Sequence, residues 1–256
     1  MARVIAIANQ KGGVGKTTTT ISLGAALSEL GARVLLIDMD SQGTLSVALG
    51  IHGVEKTIYD VLRDLEMPLE DVLVRTVTNC DLAPSNIHLA GAEVELLNEP
   101  GREFILKGKL ASVDRVYDYV LLDCPPSLGL MTLNAFTAAR QILIPVQAHF
   151  LAFRGMQLLL TTISKVKIRL NPGLEVLGIL PTFYDARTRH SREVVEQLKE
   201  HYGEKVIEIP IPSTIKFADT TTAGESILTF SSASAAAASY RKLAREVHNG
   251  QTSKRR

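Results

Sequence analysis

The chain has 256 residues, 46% of them hydrophobic, no tryptophan and a formal net charge of +1, a length and make-up that suit one large α/β domain with a full core. No apolar stretch approaches the roughly 18 residues that cross a bilayer, and the first residues lack the basic, apolar and small-residue pattern of a secretory leader. Cys80 and Cys124 have neither disulfide nor metal spacing, so a disulfide-stapled secreted protein is excluded and a cytoplasmic one expected.

Val4-Ile5-Ala6-Ile7-Ala8 reads as a short strand, and Ile21, Leu23, Ala26, Leu27 and Leu30 follow at helical spacing. Between them lies NQKGGVGKTTTT, Asn9 to Thr20. Strand, glycine-rich loop, helix is the setting in which a phosphate-binding loop has physical meaning. Gly12, Gly13 and Gly15 let backbone N–H groups curl around an anion, with Val14 and Thr18 completing the cradle. The helix starting near Lys16 adds unsatisfied N–H groups and a positive dipole end. Lys16 is placed to meet the β/γ-phosphates and Thr17 to offer its hydroxyl to Mg²⁺. Gln10 stands where a strict P-loop has glycine, and a second lysine, Lys11, precedes the paired glycines. The loop predicts a nucleoside triphosphate site.

Arg33 to Asp38 is a nearly continuous apolar run, as in a parallel strand buried on both faces. It ends in Asp38-Met39-Asp40, two acids at the strand end where open α/β sheets bind ligands. Capping or turn formation is the alternative use of such aspartates. Beside a phosphate loop they suit Mg²⁺ and an attacking water. From 45 to 115 the sequence predicts helices around Ile58–Leu65, Gly91–Leu97 and Phe104–Val113, and a short strand near Cys80–Ala83.

Tyr119-Val120-Leu121-Leu122-Asp123 has the form of a Walker B strand, which carries one carboxylate towards the metal shell. Cys124 reads as a small buried hydrophobe, and Pro125-Pro126 ends the strand. Strand Gln141–Val146, helix Gly155–Leu170 and strand Val176–Leu180 continue the alternation. The fold predicted is α/β: a single doubly wound, mainly parallel sheet with helices on both faces, over residues 1–250. A final helix near Ala233 to His248 has Tyr240, Leu243 and Val247 on one side. That stripe is too thin for a membrane anchor and suits core docking. Residues 251–256 form a short basic tail. Residues 1–150 hold 12 Lys+Arg against 17 Asp+Glu, and residues 151–256 hold 16 against 10. A basic half suits either a nucleic-acid surface or an ordinary solvated face.

KGGVGKTT resembles the deviant Walker A motif of the ParA/MinD-type ATPases. VLLIDMDSQG, YDYVLLDCPPSLG, IPVQ, Tyr184 to Thr188, Leu89 to Glu93 and the segment from Ile211-Pro212 resemble the chromosome-partitioning ParA/Soj branch. The resemblance implies a P-loop NTPase of the deviant Walker A type with ATP and Mg²⁺ as cofactors. It implies that Lys11 reaches a partner protomer's nucleotide, that Asp40 serves hydrolysis, and that Asp38 lies nearer the metal. It places Pro212 and Thr214 at the nucleotide, and Arg187 and Lys216 at DNA. The partners implied are a second copy of the chain, non-specific double-stranded DNA and a ParB-type centromere-binding protein, in a nucleoid-associated cytoplasmic setting without a membrane. The chain departs from the family at Ser41-Gln42-Gly43-Thr44, at His149 and Arg154 in place of acids, and at Ser213 and Thr214 in place of arginine and asparagine.

Three other readings compete. A ParA-like ATPase can position a protein cargo, such as a carboxysome or chemoreceptor cluster, and a ligase of the dethiobiotin synthetase type shares the loop. An iron–sulfur carrier needs cysteines that no CxxC pair here supplies.

Overall fold

Strands with apolar residues on both faces are stable only between two layers of helices. The computed structural model, which describes residues 1–148 and 152–250, has this arrangement. Seven strands form one sheet: β1 (Arg3–Ile7), β2 (Val34–Asp38), β3 (Val74–Arg75), β4 (Asp81–Ala83), β5 (Tyr119–Asp123), β6 (Gln141–Gln147) and β7 (Glu175–Thr182). Their order is β3-β4-β2-β5-β1-β6-β7. All neighbours pair in parallel except the edge pair β3–β4. That two-residue antiparallel edge is absent from the sequence prediction, because two residues carry no periodicity.

The helices are α1 (Lys16–Glu29), α2 (Thr44–Ala48), α3 (Ile58–Arg63), α4 (Leu89–Glu95), α5 (Ile105–Val113), α6 (Leu130–Ala138), α7 (Ala152–Arg169), α8 (Arg189–Tyr202), α9 (Lys216–Ala223), α10 (Ile227–Phe230) and α11 (Ala235–His248). The predicted helix at Gly91–Leu97 lies two residues earlier, as α4. Strand alternation divides the core in two. Ala6, Leu35, Ile37, Val120 and Leu122 pack with α3 to α8 on one face. Ile5, Ile7, Leu36 and Leu121 pack with α1, α2, α9, α10 and α11 on the other. The sheet is doubly wound, as its sequence predicts.

Helix α11 does dock on the core. Tyr240, Leu243 and Val247 are fully buried, and the Tyr240 hydroxyl lies 3.1 Å from Thr19 Oγ1 on α1. Among the described residues no helix is long and apolar enough to cross a membrane. His149 and the tail Lys254-Arg255-Arg256 fall outside the described residues.

Candidate functional site

Parallel register brings three loop-bearing strand ends side by side. Ile7 pairs with Asp123, and Asp38 pairs with the same Asp123, so the exits of β1, β5 and β2 share one row. Ligands of open α/β sheets gather at such carboxyl ends.

The glycine-rich loop leaves β1 there. Asn9 pins its start: Nδ2 donates to Pro145 O on β6 at 2.7 Å, and Oδ1 accepts from Lys11 N at 3.0 Å. Its end turns through Gly15 at φ 86°, a left-handed value that favours glycine. β7 supports the loop from below. Thr182 Oγ1 donates to Val14 O at 2.8 Å. The Phe183 ring lies 3.5 Å from where a Cβ on Gly15 would stand. No side chain caps the N-terminus of α1. Its first N–H groups and dipole are directed at the loop's hollow, the arrangement that receives phosphate.

Lys16 opens α1 and is only 8% exposed. Its Nζ donates to Lys11 O at 3.3 Å. Burial lowers its pKa, and the carboxylates of Asp123 and Asp40 oppose that shift. One turn of helix puts Thr17 and Thr20 on the side facing β5. Thr17 Oγ1 donates to Asp123 Oδ2 at 2.6 Å and Thr20 Oγ1 to Oδ1 at 3.3 Å. Burial, with the charge of Asp38 beside it, pushes Asp123 up to about 8. Burial likewise raises Asp38 to about 6, against the hydrogen bonds it accepts from Ser46. Two carboxylates held this far from water are costly to ionise without a neighbouring positive charge, and for Asp123 the Lys16 ammonium supplies part of it.

This donor set fits Mg²⁺ with a nucleotide. A hard divalent ion takes one or two carboxylates and completes its shell with phosphate oxygens and water, and a hydroxyl–carboxylate pair at 2.6 Å offers that start. Among the described residues no cluster of three or more His, Cys, Asp or Glu could hold a metal without such help.

Asp40 is half-buried at the exit of β2. Its backbone N–H donates to Asp38 Oδ1 at 3.2 Å, and its own Oδ1 accepts from Gln42 N at 3.0 Å. Pro212 and Thr214 lie on a segment that extends the sheet edge: Tyr184 bridges Pro212, and Ser213 N donates to Tyr184 O at 2.9 Å. Thr214 Oγ1 accepts from Lys216 N at 3.3 Å.

The expected DNA residues are not part of this cluster. Arg187 is 90% exposed and forks onto Asp185 at 2.9 and 3.0 Å, holding that carboxyl down to about 2. It lines a groove of about 600 Å³ with Pro212, Ser239 and Lys242. Lys216 is exposed at the start of α9, where its Nζ donates to Ser231 Oγ at 2.7 Å, and it does not line that groove.

Sequence reasoning missed Asn9, Thr20, Ser46 and Thr182. Thr20 was within reach, since it follows Thr17 by three residues on the same helix face. Ser46 and Thr182 act across the fold and leave no local signal, and Asn9 does so through Pro145 O besides its local bond to Lys11 N. Cys124 is 1% exposed with its thiol pushed up by burial, as a small hydrophobe should be.

A family model described as an AAA domain matches residues 2–176. The chain is 43% identical over 249 residues to the sporulation initiation inhibitor protein Soj of Bacillus subtilis, spanning 96% of this chain and 98% of that one. It is 43% identical over 250 residues to the chromosome partitioning protein ParA of Caulobacter vibrioides, spanning 96% and 93%. A solved structure named as cobyrinic acid a,c-diamide synthase of Mycobacterium smegmatis, with bound ADP and magnesium, superposes with a TM-score of 0.89. It is 44% identical to this chain, covering 100% of it and 97% of the other.

Proposed function

The chain belongs to the Soj/ParA family of chromosome-partitioning ATPases, and from that premise we propose that it is an ATP-dependent dimerising switch that binds DNA without sequence preference. The observation that carries this reading is the meeting of Lys16, Thr17 and Asp123 at the uncapped start of α1. ATP and Mg²⁺ are the cofactors that this donor set takes, as the mycobacterial structure with ADP and magnesium supports.

Hydrolysis is in-line attack of water on the γ-phosphate, for which the protein supplies position and charge. Gly12 to Thr18 bind the phosphates through backbone N–H groups, and Lys16 neutralises their charge. Thr17 and Asp123 hold Mg²⁺, which offsets negative charge on the phosphate oxygens when bound. Asp38 supports that shell from β2. Asp40 orients the water, two residues beyond the end of its strand, and Pro212 and Thr214 flank the nucleotide. Lys11 reaches the partner protomer's nucleotide, so each site is electrostatically complete only in the dimer.

Arg187 and Lys216 contact DNA phosphates, and a ParB-type centromere-binding protein is the partner. Residues 1–250 act as one unit in the nucleoid-associated cytoplasm. The test is ATP turnover by the purified chain without any small-molecule acceptor, read beside its elution in ATP and in ADP. Slow turnover and an ATP-only dimer are expected.

The name of the mycobacterial structure favours a second reading, ATP-driven amide formation on a carboxylate. A chain that drew its nitrogen from glutamine would use a reactive thiolate. Here both cysteines are buried and their thiols are pushed up, Cys80 to about 11. Turnover that requires an added carboxylic acid and ammonia would establish that reading instead.

A further inference from the structure

The segment from Asp38 to Ser46 carries Asp40, and it is tied down by one side chain that the mechanism above does not use. Ser46, 2% exposed on α2, donates its hydroxyl to Asp38 Oδ2 at 2.8 Å, and its backbone N–H donates to the same oxygen at 2.9 Å. The Ser46 hydroxyl oxygen in turn accepts from Ser85 N at 2.9 Å, beyond the end of β4. The other oxygen of Asp38 accepts the Asp40 backbone N–H at 3.2 Å. A chain of hydrogen bonds therefore runs from Ser85 through Ser46 and Asp38 to the backbone of Asp40.

Gly43, at φ 60°, closes the loop against the same neighbour, with Ser85 O 3.1 Å from where a Cβ would stand. Ser85 Oγ is the one buried side-chain polar atom among the described residues that has no hydrogen-bond partner. Buried hydroxyls rarely stay unpaired, so a small movement of this loop has a hydrogen bond to gain.

We infer that Ser46 is a positioning residue for hydrolysis: its hydroxyl fixes Asp38 and, through it, the backbone that aims Asp40. Loss of the hydroxyl leaves Ser85 N–H without its acceptor and removes one of the three hydrogen bonds to Asp38. Asp40 is then free to leave its aim, while the phosphate loop is untouched. The inference rests on the ATPase reading proposed above.

The experiment compares wild type, Ser46→Ala and Ser46→Thr, which keeps the hydroxyl. Three quantities are read: kcat for ATP hydrolysis, Kd for ADP by calorimetry, and amide hydrogen exchange in the nucleotide-free protein. Ser46→Ala is expected to lower kcat by about 10- to 100-fold with Kd within ~3-fold of wild type. Amides of residues 40–46 should exchange at least ~10-fold faster, with α11 unchanged. Ser46→Thr should stay within ~3-fold of wild type in kcat. An unchanged kcat in Ser46→Ala, an equal fall in Ser46→Thr, a parallel loss of ADP affinity, or exchange that rises throughout the protein would each overturn the inference. Absence of turnover in wild type would count against the ATPase reading, and the exchange comparison would still test the Ser46 link.

Discussion

The nucleotide end and the expected DNA surface hold charge in opposite ways. At the carboxyl ends of β1, β2 and β5, Lys16, Asp38 and Asp123 are at most 8% exposed and lean on one another. Across the molecule's basic half, Arg187 and Lys216 stand in solvent, each with one neighbour of its own, Asp185 and Ser231. Buried charge is costly unless it is paired, so in the first region each ionised group depends on its neighbours. Exposed charge is cheap and weakly coupled, so the second region becomes a surface only when several such residues are collected on one ligand. A dimer collects twice as many as a monomer.

Substitutions should separate the two regions by size of effect. The largest is Lys16→Ala, which on the proposed function removes the buried counter-charge to the β/γ-phosphates. ATP affinity by calorimetry should fall about 100-fold or more, since a buried charge-assisted contact is worth roughly 3 kcal/mol. An affinity near wild type would break the contrast at its stronger end.

Asp40→Ala comes next. Its carboxylate is half-buried and, among the described residues, accepts from Gln42 N within its own turn, so its loss should spare binding. Hydrolysis should fall by ~10²-fold or more, the order of effect expected for a group that positions the attacking water, while ATP still produces a dimer on size exclusion. A monomer in ATP would contradict this division of labour between binding and hydrolysis.

Charge reversal at the surface should act more gently. If the proposed DNA contacts hold, Arg187→Glu or Lys216→Glu removes one phosphate contact per protomer, and the dimer's slope of log K against log salt should become shallower by about 2. Nucleotide binding and dimer formation should not move. Smallest is Tyr240→Phe, which strips the buried hydroxyl from Thr19 and leaves both regions in place. A cost of about 1 kcal/mol is expected, or a fall in Tm of roughly 2–4 °C by calorimetry, without change in kcat.

The same contrast explains what could be read from the sequence. Lys16, Thr17 and Asp123 lie in contiguous motifs whose chemistry is written in residue order, and the apolar runs ending in Asp38 and Asp123 predicted both strands and their ends. Ser46, Asn9 and Thr182 escaped, because each works through a contact that only the fold creates; Thr182 and Val14 are 168 residues apart. The edge strand Val74–Arg75 escaped for want of length. Arg187 and Lys216 were named through family likeness alone. An exposed cation carries no local signature that distinguishes a DNA contact from a solvated side chain.

The central claim is that nucleotide at the buried site governs the exposed one. Fluorescence anisotropy on two unrelated duplexes, across a salt series and with ATP or ADP, tests it most directly. With ~3 phosphate contacts per protomer the ATP form should bind both duplexes alike, with a slope of roughly −5. The ADP form should show about half that slope and little binding at physiological salt. Equal affinity with either nucleotide, or binding that ignores salt, would contradict the account.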